Sequence, residues 1–224
     1  MSGSQVLKII ARIKSDFPTK FGIPRQSGLA PALKARIVFE KEFRSAEALA
    51  GLEKFSHIWL IWGFSEAVQK NWSPTVRPPR LGGNKKIGVF ATRSPFRPNS
   101  IGLSAVRIEK IENGEIFVSG ADLMDETPIY DIKPYLPAVD SIPSATDLFD
   151  RTAQKEPLEI VISDESIEKI PDEKLASLKE ILALDPRPAY QNDPSRIYGF
   201  QFAGHEVRFK VDGNILTVIS VEKI

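Results

Sequence analysis

The chain has 224 residues, 42% hydrophobic and 26% charged, with a formal net charge of +1, the make-up of an ordinary globular protein with room for one large domain or two small ones. It has no cysteine and only two histidines, His57 and His205, which excludes a disulfide framework and a thiol nucleophile and leaves little for a metal site. No apolar run approaches the roughly 20 residues of a membrane span and the N-terminus lacks a signal peptide's apolar core, so a cytoplasmic protein off the membrane is expected.

Residues 6–14 alternate β-branched and polar side chains and predict a first strand. Residues 15–30 hold two prolines and two glycines; a loop this long inside a compact domain points to function or disorder, and it contains Pro24-Arg25-Gln26. A short strand follows over 35–40, and Ser45 is placed to cap a helix over 46–52. Residues 55–64 carry an unbroken run from Ile58 to Trp62 and predict a central strand buried on both faces, with His57 a core-edge residue rather than a base. Residues 65–85 predict a long loop in which Trp72 either stacks on a nucleobase or folds the loop back on the core. Strands are predicted over 87–91 and 102–111, then a type I′ hairpin at Asn113-Gly114 with its return over 115–119. An acidic loop over 122–127 leads to a last strand over 128–133. Short strands separated by turns favour an antiparallel barrel or sandwich, and no G-x-G-x-x-G supports a Rossmann site.

Residues 134–157 carry four prolines and little periodicity and read as a linking segment. A second unit opens at 158–163. Pro171 suits a first helical turn, Leu175, Leu178, Ile181 and Leu182 form one apolar stripe, and Asp185-Pro186 stops the helix. Segments 196–202, 207–211 and 215–221 read as a three-stranded meander. The expectation is a mainly β chain: an N-terminal antiparallel β-barrel domain, residues 1–140, a Pro-rich linker, 141–156, and a small α+β C-terminal domain, 157–224.

The chain is organised around the stretch GVFATRSPFRPNSIGLS at residues 88–104. Pro95 and Pro98 fix their own φ and bias their neighbours to extended backbone, so this loop has little freedom to lose on binding. Arg93 and Arg97 offer planar donor forks suited to carboxylate or phosphate. Residues 67–108 contain no Asp or Glu but carry Lys70, Arg77, Arg80, Lys85, Lys86, Arg93, Arg97 and Arg107, a local positive field that attracts polyanions if these side chains share a face. Asp122, Asp125, Glu126 and Asp131 form an acidic counterpart that could bind a cation or accept from ribose hydroxyls. A zwitterion with a ribose would suit both kinds of loop, and these residues alone do not choose among such molecules.

The organising stretch resembles the signature of the TsaA-like family, also called the tRNA methyltransferase O family. Three further segments match in order and spacing: Phe21-Gly22-Ile23-Pro24-Arg25-Gln26, the string from Arg77 to Asn84, and Asp122-Leu123-Met124-Asp125 running on to the string from Asp131 to Pro137. The match covers about the first 140 residues, and Asp185-Pro186-Arg187-Pro188-Ala189-Tyr190 is similar to the family's bacterial C-terminal domain. The resemblance implies an S-adenosylmethionine-dependent methyltransferase on a β-barrel, a homodimer, acting on tRNA. The implied reaction methylates N6 of threonylcarbamoyladenosine beside the anticodon, chiefly in threonine tRNA.

Carried over by position, the implied cofactor contacts are Pro24, Arg25, Gln26, Ser65, Glu66, Arg93, Leu103, Asp122, Leu123, Met124 and Asp125. Relatives often carry His and a polar residue at the positions of Ser65 and Glu66, and a Gly at that of Glu126. The acceptor nitrogen belongs to a urea and is weakly nucleophilic, so a nearby carboxylate would assist; Asp125 and Asp131 are the candidates for a general base, with a turn or cofactor-orienting role as the alternative. Arg77, Arg80, Lys85, Lys86 and Arg97 are candidates for tRNA phosphate contact, and the 185–190 string either faces tRNA or is a proline turn. A non-enzymatic RNA- or nucleotide-binding module on the same barrel is the competing reading; a magnesium-dependent nucleotide hydrolase ranks below it.

Overall fold

The computed structural model describes residues 5–66, 72–78, 85–146, 157–188, 191 and 193–224. Six antiparallel strands close into a barrel in the order β1-β2-β7-β6-β3-β8. They are β1 (Ala11–Lys14), β2 (Lys34–Phe39), β3 (His57–Gly63), β6 (Ile101–Glu112), β7 (Glu115–Ser119) and β8 (Pro128–Pro134). Closure comes from β1, which pairs with β2 on one side and with β8 on the other. A closed barrel has no free edge to template aggregation. Its interior is filled by the alternate inward residues, among them Ile13, Ile37, Ile58, Leu60, Ile116 and Ile129, all fully buried.

Most predicted elements form, with instructive differences. The first strand is confined to Ala11–Lys14, where β2 pairs with all four residues and β8 with the first two. Strand β3 is not buried on both faces: Ile58, Leu60 and Trp62 point inward, while His57, Trp59 and Ile61 alternate outward and are half-buried. On the outer face Trp59 is met by Tyr135 and by a four-residue helix, α2 (Pro137–Asp140). Trp59 Nε1 donates to Asp140 Oδ2 at 3.0 Å, and the Trp59 ring lies 5.3 Å from that of Tyr135. The predicted 46–52 helix shrinks to α1 (Ala46–Leu49), with no cap bond from the Ser45 side chain, followed after Gly51 by a 3₁₀ turn. Only Ile87–Gly88 of the 87–91 segment is extended, as β5, paired with β4 (Thr75–Val76); Val89–Ala91 turns into a 3₁₀ helix. The hairpin forms as expected, with φ of 54° at Asn113 and 73° at Gly114.

The C-terminal region is a four-stranded sheet, not a three-stranded meander. Strands β10 (Tyr198–Phe202), β11 (His205–Asp212) and β12 (Ile215–Lys223) form the meander, and β9 (Glu159–Val161) adds to β12 in parallel. Two helices accompany it: α3 (Asp164–Glu168), capped by the Ser163 side chain, and α4 (Asp172–Ala183), which buries Leu178, Ile181 and Leu182. A second apolar core lies between this sheet and α4. It includes Phe17, Ala30 and Leu33, which come from the long loop between β1 and β2.

Candidate functional site

The site is built where three loops meet at one end of the barrel. Strand β6 delivers Ser104 and Gly102 to the interior on alternate positions. Gly102 pairs with Trp62 of β3, and a Cβ at position 102 would collide with the indole, so the glycine makes room for that ring. Trp62 Nε1 then donates to Ser104 Oγ at 3.0 Å, and Ser104 Oγ donates onward to Asp122 Oδ1 at 2.6 Å. Asp122 begins the acidic loop after β7, and this relay fixes its carboxylate.

Burial raises the pKa of Asp122 above the usual carboxylate value; the hydrogen bond from Ser104, its own backbone, the Arg93 guanidinium and the backbone of Ser27 pull the other way. Arg93 sits in the Thr92–Ser94 turn of the organising stretch and donates to Gln26 Oε1. Asp122, Arg93 and the Gln26-Ser27 segment therefore lie together, although they are distant in sequence. Gly28 N bonds Gly120 O at 2.8 Å and holds the two loops side by side.

The remaining predicted cofactor residues divide. Pro24 is buried, and Arg25 projects from the same turn, exposed. Arg25 and Pro24 line a cleft of about 190 Å³ whose far wall is Pro186, Arg187 and Pro188, so most of the 185–190 string faces this loop; Ala189 and Tyr190 lie outside the described residues. Within that string Arg187 Nε donates to Asp185 Oδ1 at 2.7 Å. Leu123 is 1% exposed with its side chain in the barrel core, so what it can offer a ligand is backbone. Met124 and Asp125 are half-buried. Asp125 Oδ1 accepts from the Ser15 amide at 3.0 Å, and Ser15 Oγ donates to the Leu123 carbonyl at 2.9 Å, so Ser15 shapes the acidic loop. Glu126 takes up φ 63°, the left-handed turn that a glycine would occupy without strain, and its side chain pairs with Lys14. Ser65 and Glu66 follow β3 and are exposed; Glu66 comes within 3.8 Å of Lys20, on the loop that carries Pro24.

Leu103 and Asp131 belong to another surface. Both register against Ile61, so Leu103, Ile61 and Asp131 form one row across the outer face of β6, β3 and β8. Leu103 is 56% exposed. Asp131 Oδ1 accepts from the Ile132 amide at 2.9 Å, and its Oδ2 pairs with Lys133 at 2.9 Å. Of the two candidate bases, Asp125 thus lies in the loop between β7 and β8, and Asp131 on the outer face of the β8 strand.

The candidate phosphate contacts also separate. Arg77 and Lys86 leave the same end of the β4–β5 ribbon and are exposed, as is Lys85. Arg80 and Lys70 lie outside the described residues. Arg97 is half-buried: it donates to the carbonyls of Thr92 at 2.7 Å and Val89 at 3.3 Å and lies 5.8 Å from the centre of the Phe90 ring, bracing its own loop. Trp72 packs on Phe90 with ring centres 6.1 Å apart while staying half exposed.

Sequence reasoning missed Ser15, Trp62 and Ser104 as supports of the acidic loop. The available signal was Ser104 itself, a small polar residue on the inward phase of a strand between Gly102 and Val106. A buried hydroxyl needs a partner, and Asp122 is that partner.

Comparison with known proteins agrees with this geometry. The model of the tRNA-methyltransferase O N-terminal domain matches residues 12–141, and that of the TrmO C-terminal domain matches residues 155–224. A protein of Escherichia coli named tRNA (adenine(37)-N6)-methyltransferase is 37% identical over 225 residues, 95% of this chain and 96% of that one. A putative S-adenosylmethionine-dependent methyltransferase RcsF of Pseudomonas aeruginosa is 42% identical over 200 residues, 85% of each chain. The crystal structure of TrmO from Pseudomonas aeruginosa superposes with a TM-score of 0.82 at 31% identity, covering 100% of this chain and 99% of that one. With barrel, C-terminal sheet and both family models in agreement, the chain belongs to the tRNA-methyltransferase O family.

Proposed function

We propose that this protein is an S-adenosylmethionine-dependent tRNA methyltransferase acting on N6 of the adenosine at tRNA position 37, as the curated relatives' names describe. The observation that carries the reading is the cluster of Asp122, Arg93 and Gln26 at the barrel end. A half-buried carboxylate facing a guanidinium, with an amide between the loops, matches a ligand that offers an ammonium, a carboxylate and ribose hydroxyls together. In this reading Arg93 and the Pro24-Arg25-Gln26 turn orient the carboxylate end, and Asp122 accepts from the ammonium or the ribose. Leu123, Met124, Ser65 and Glu66 border the same ligand, and Leu103 meets it from the outer face of β6.

The cofactor supplies a methyl group on a sulfonium, an intrinsically good donor. What the chain adds is alignment and a place for a proton. The acceptor nitrogen of threonylcarbamoyladenosine has its lone pair delocalised into a urea, so holding it in line with the methyl carbon is the larger part of the task. Its proton passes to a carboxylate, Asp125 or Asp131. Exposed Arg77, Lys85 and Lys86 meet the phosphates, and Arg80, which lies outside the described residues, is proposed with them; Arg97 serves them by bracing its loop. The proposed substrate is threonine tRNA, the proposed compartment the cytoplasm, and the proposed assembly a homodimer. Ile101 and Leu103, 39% and 56% exposed on the outer face of β6, support an interface there.

Transfer of labelled methyl from S-adenosylmethionine to threonine tRNA with and without the threonylcarbamoyl group tests this. Label on the modified tRNA alone is expected. Label on neither, from folded protein, would leave a binding module, and equal label on both would remove the acyl group from the recognition.

A further inference from the structure

The loop between β1 and β2 carries Pro24-Arg25-Gln26, yet its apolar side chains are not in the barrel core. Phe17, Ala30 and Leu33 are at most 1% exposed and share a cluster with Leu178 and Ile181 of α4 and with Phe200, Phe202 and Phe209 of the C-terminal sheet. The rings of Phe17 and Phe202 lie 5.4 Å apart. Polar ties fix both ends of the loop. Lys174 Nζ donates to Asp16 Oδ2 at 2.6 Å, with side chains only 26% and 16% exposed, and the Ala203 amide donates to the Asp16 carbonyl at 2.9 Å. The Ala32 amide donates to Glu180 Oε2 at 2.8 Å. Between them Gly22, at φ 83°, lies so close to the Phe200 ring that a Cβ would enter it.

The candidate cofactor residues hang from this tethered backbone. Gln26 accepts from Arg93, and Ser27 borders Asp122. Nearer the loop's start the Phe17 carbonyl accepts from the Asp125 amide at 2.8 Å, while Ser15 holds both the Asp125 carboxylate and the Leu123 carbonyl. The 24–26 turn and the acidic 122–125 loop are far apart in sequence. Both nevertheless take their positions from a segment whose side chains are sunk in the C-terminal core. Ordering a loop costs about 1–2 kcal/mol per residue of backbone, and a loop left free must meet that cost when ligand binds.

We propose that α4 and the C-terminal sheet act as a clamp that preorganises the β1–β2 loop, making Lys174, Glu180 and Phe200 positioning residues for cofactor binding. The inference rests on the S-adenosylmethionine reading above. The three residues act through Asp16, Ala32 and Gly22. Linkage makes the coupling reciprocal: cofactor at the barrel end must tighten the C-terminal sheet.

The full-length chain tests this, with S-adenosylmethionine affinity measured by titration calorimetry. Lys174→Met is expected to weaken binding about tenfold, within the usual range of such couplings, and Lys174→Arg to restore most of it. Affinity for tRNA without cofactor is expected to stay within about twofold, because the clamp acts on the loop and not on the β4–β5 ribbon. Glu180→Met, which keeps the side chain's length but removes the acceptor for the Ala32 amide, is the second variant and is expected to weaken cofactor binding in the same direction. In the unaltered chain, added cofactor is expected to slow hydrogen exchange across residues 198–204. Unchanged cofactor affinity in the folded variants, or unchanged exchange at 198–204, overturns the clamp while leaving the cofactor assignment standing. Failure of the unaltered chain to bind S-adenosylmethionine overturns that assignment and the clamp with it.

Discussion

The barrel core is drawn from the barrel's own strands and the short elements against them, Ile13, Ile37, Ile58 and Leu60 among them, whereas the C-terminal core imports Phe17, Ala30 and Leu33 from a loop between two barrel strands. The first core supports the wall that carries Trp62 and Ser104. The second supports the loop that carries Pro24, Arg25 and Gln26. One candidate site thus stands on two cores. The difference teaches that chain order and physical support need not coincide: residues early in the barrel region owe their placement to side chains late in the chain.

The sharpest way to break this comparison is to hollow out each core separately. Phe17→Ala should cost about 3–5 kcal/mol and Leu60→Ala about 2–5 kcal/mol. All three tryptophans, Trp59, Trp62 and Trp72, lie in the barrel region, so their fluorescence reports that region during urea unfolding while far-ultraviolet circular dichroism reports the whole. Phe17→Ala is expected to lower the circular-dichroism midpoint more than the fluorescence midpoint, and Leu60→Ala to lower fluorescence at least as much. Coincident shifts for both variants would mean that the two cores unfold as one unit and that the distinction has no thermodynamic content.

A smaller effect separates the site from its supports. Asp122→Asn keeps the acceptor for Ser104 but removes the charge, and should lower S-adenosylmethionine affinity by about 2–3 kcal/mol, the scale of a charged hydrogen bond. Because burial raises the pKa of Asp122, the folded chain takes up this proton at a higher pH than the unfolded chain does. The group's contribution to stability is therefore full below the unfolded value of about 3.9 and is lost as pH rises through the raised folded value. Asp122→Asn should consequently melt no lower than the unaltered protein at neutral pH. Cofactor affinity in the unaltered protein should begin to fall on acidification at a higher pH than an ordinary carboxylate would dictate. A variant that binds normally, or that melts well below the parent, would make Asp122 a structural residue.

The smallest effects are expected on the basic ribbon, which belongs to neither core. Arg77→Ala and Lys86→Ala should each weaken tRNA binding a few-fold and reduce the slope of log affinity against log salt by about 1, with no change in melting temperature. A slope unaffected by both would place the phosphate contacts elsewhere on the chain.

Much of the architecture was legible because it is written in local pattern. Apolar-in, polar-out alternation marks β2 and β11, and Asn113-Gly114 supplies the two left-handed residues of the β6–β7 turn. The stripe of Leu178, Ile181 and Leu182 marks α4, and Asp185 breaks from it at φ 56°. Local pattern misled at β3, where an unbroken apolar run was read as burial on both faces. Of its outward residues, Trp59 meets Tyr135 and Asp140 of the α2 turn, which come back across it. It was silent on β9, whose parallel partner is more than a helix away.

The site divides along the same line. Residue type by itself marked an arginine-bearing Pro-rich loop and an acidic loop as chemical complements, and the resemblance to a known signature joined the Pro-Arg-Gln turn to them. Tertiary structure decided the rest. It set Ser104 and Trp62 beneath Asp122, turned Arg97 inward to brace its own loop, left Asp125 in a loop and Asp131 on the outer wall, and gave the β1–β2 loop to the C-terminal core. The reason is physical. Periodicity and turn chemistry act within a few residues, but desolvation, hydrogen-bond satisfaction and packing depend on which distant segments the closed barrel and the C-terminal sheet bring into contact.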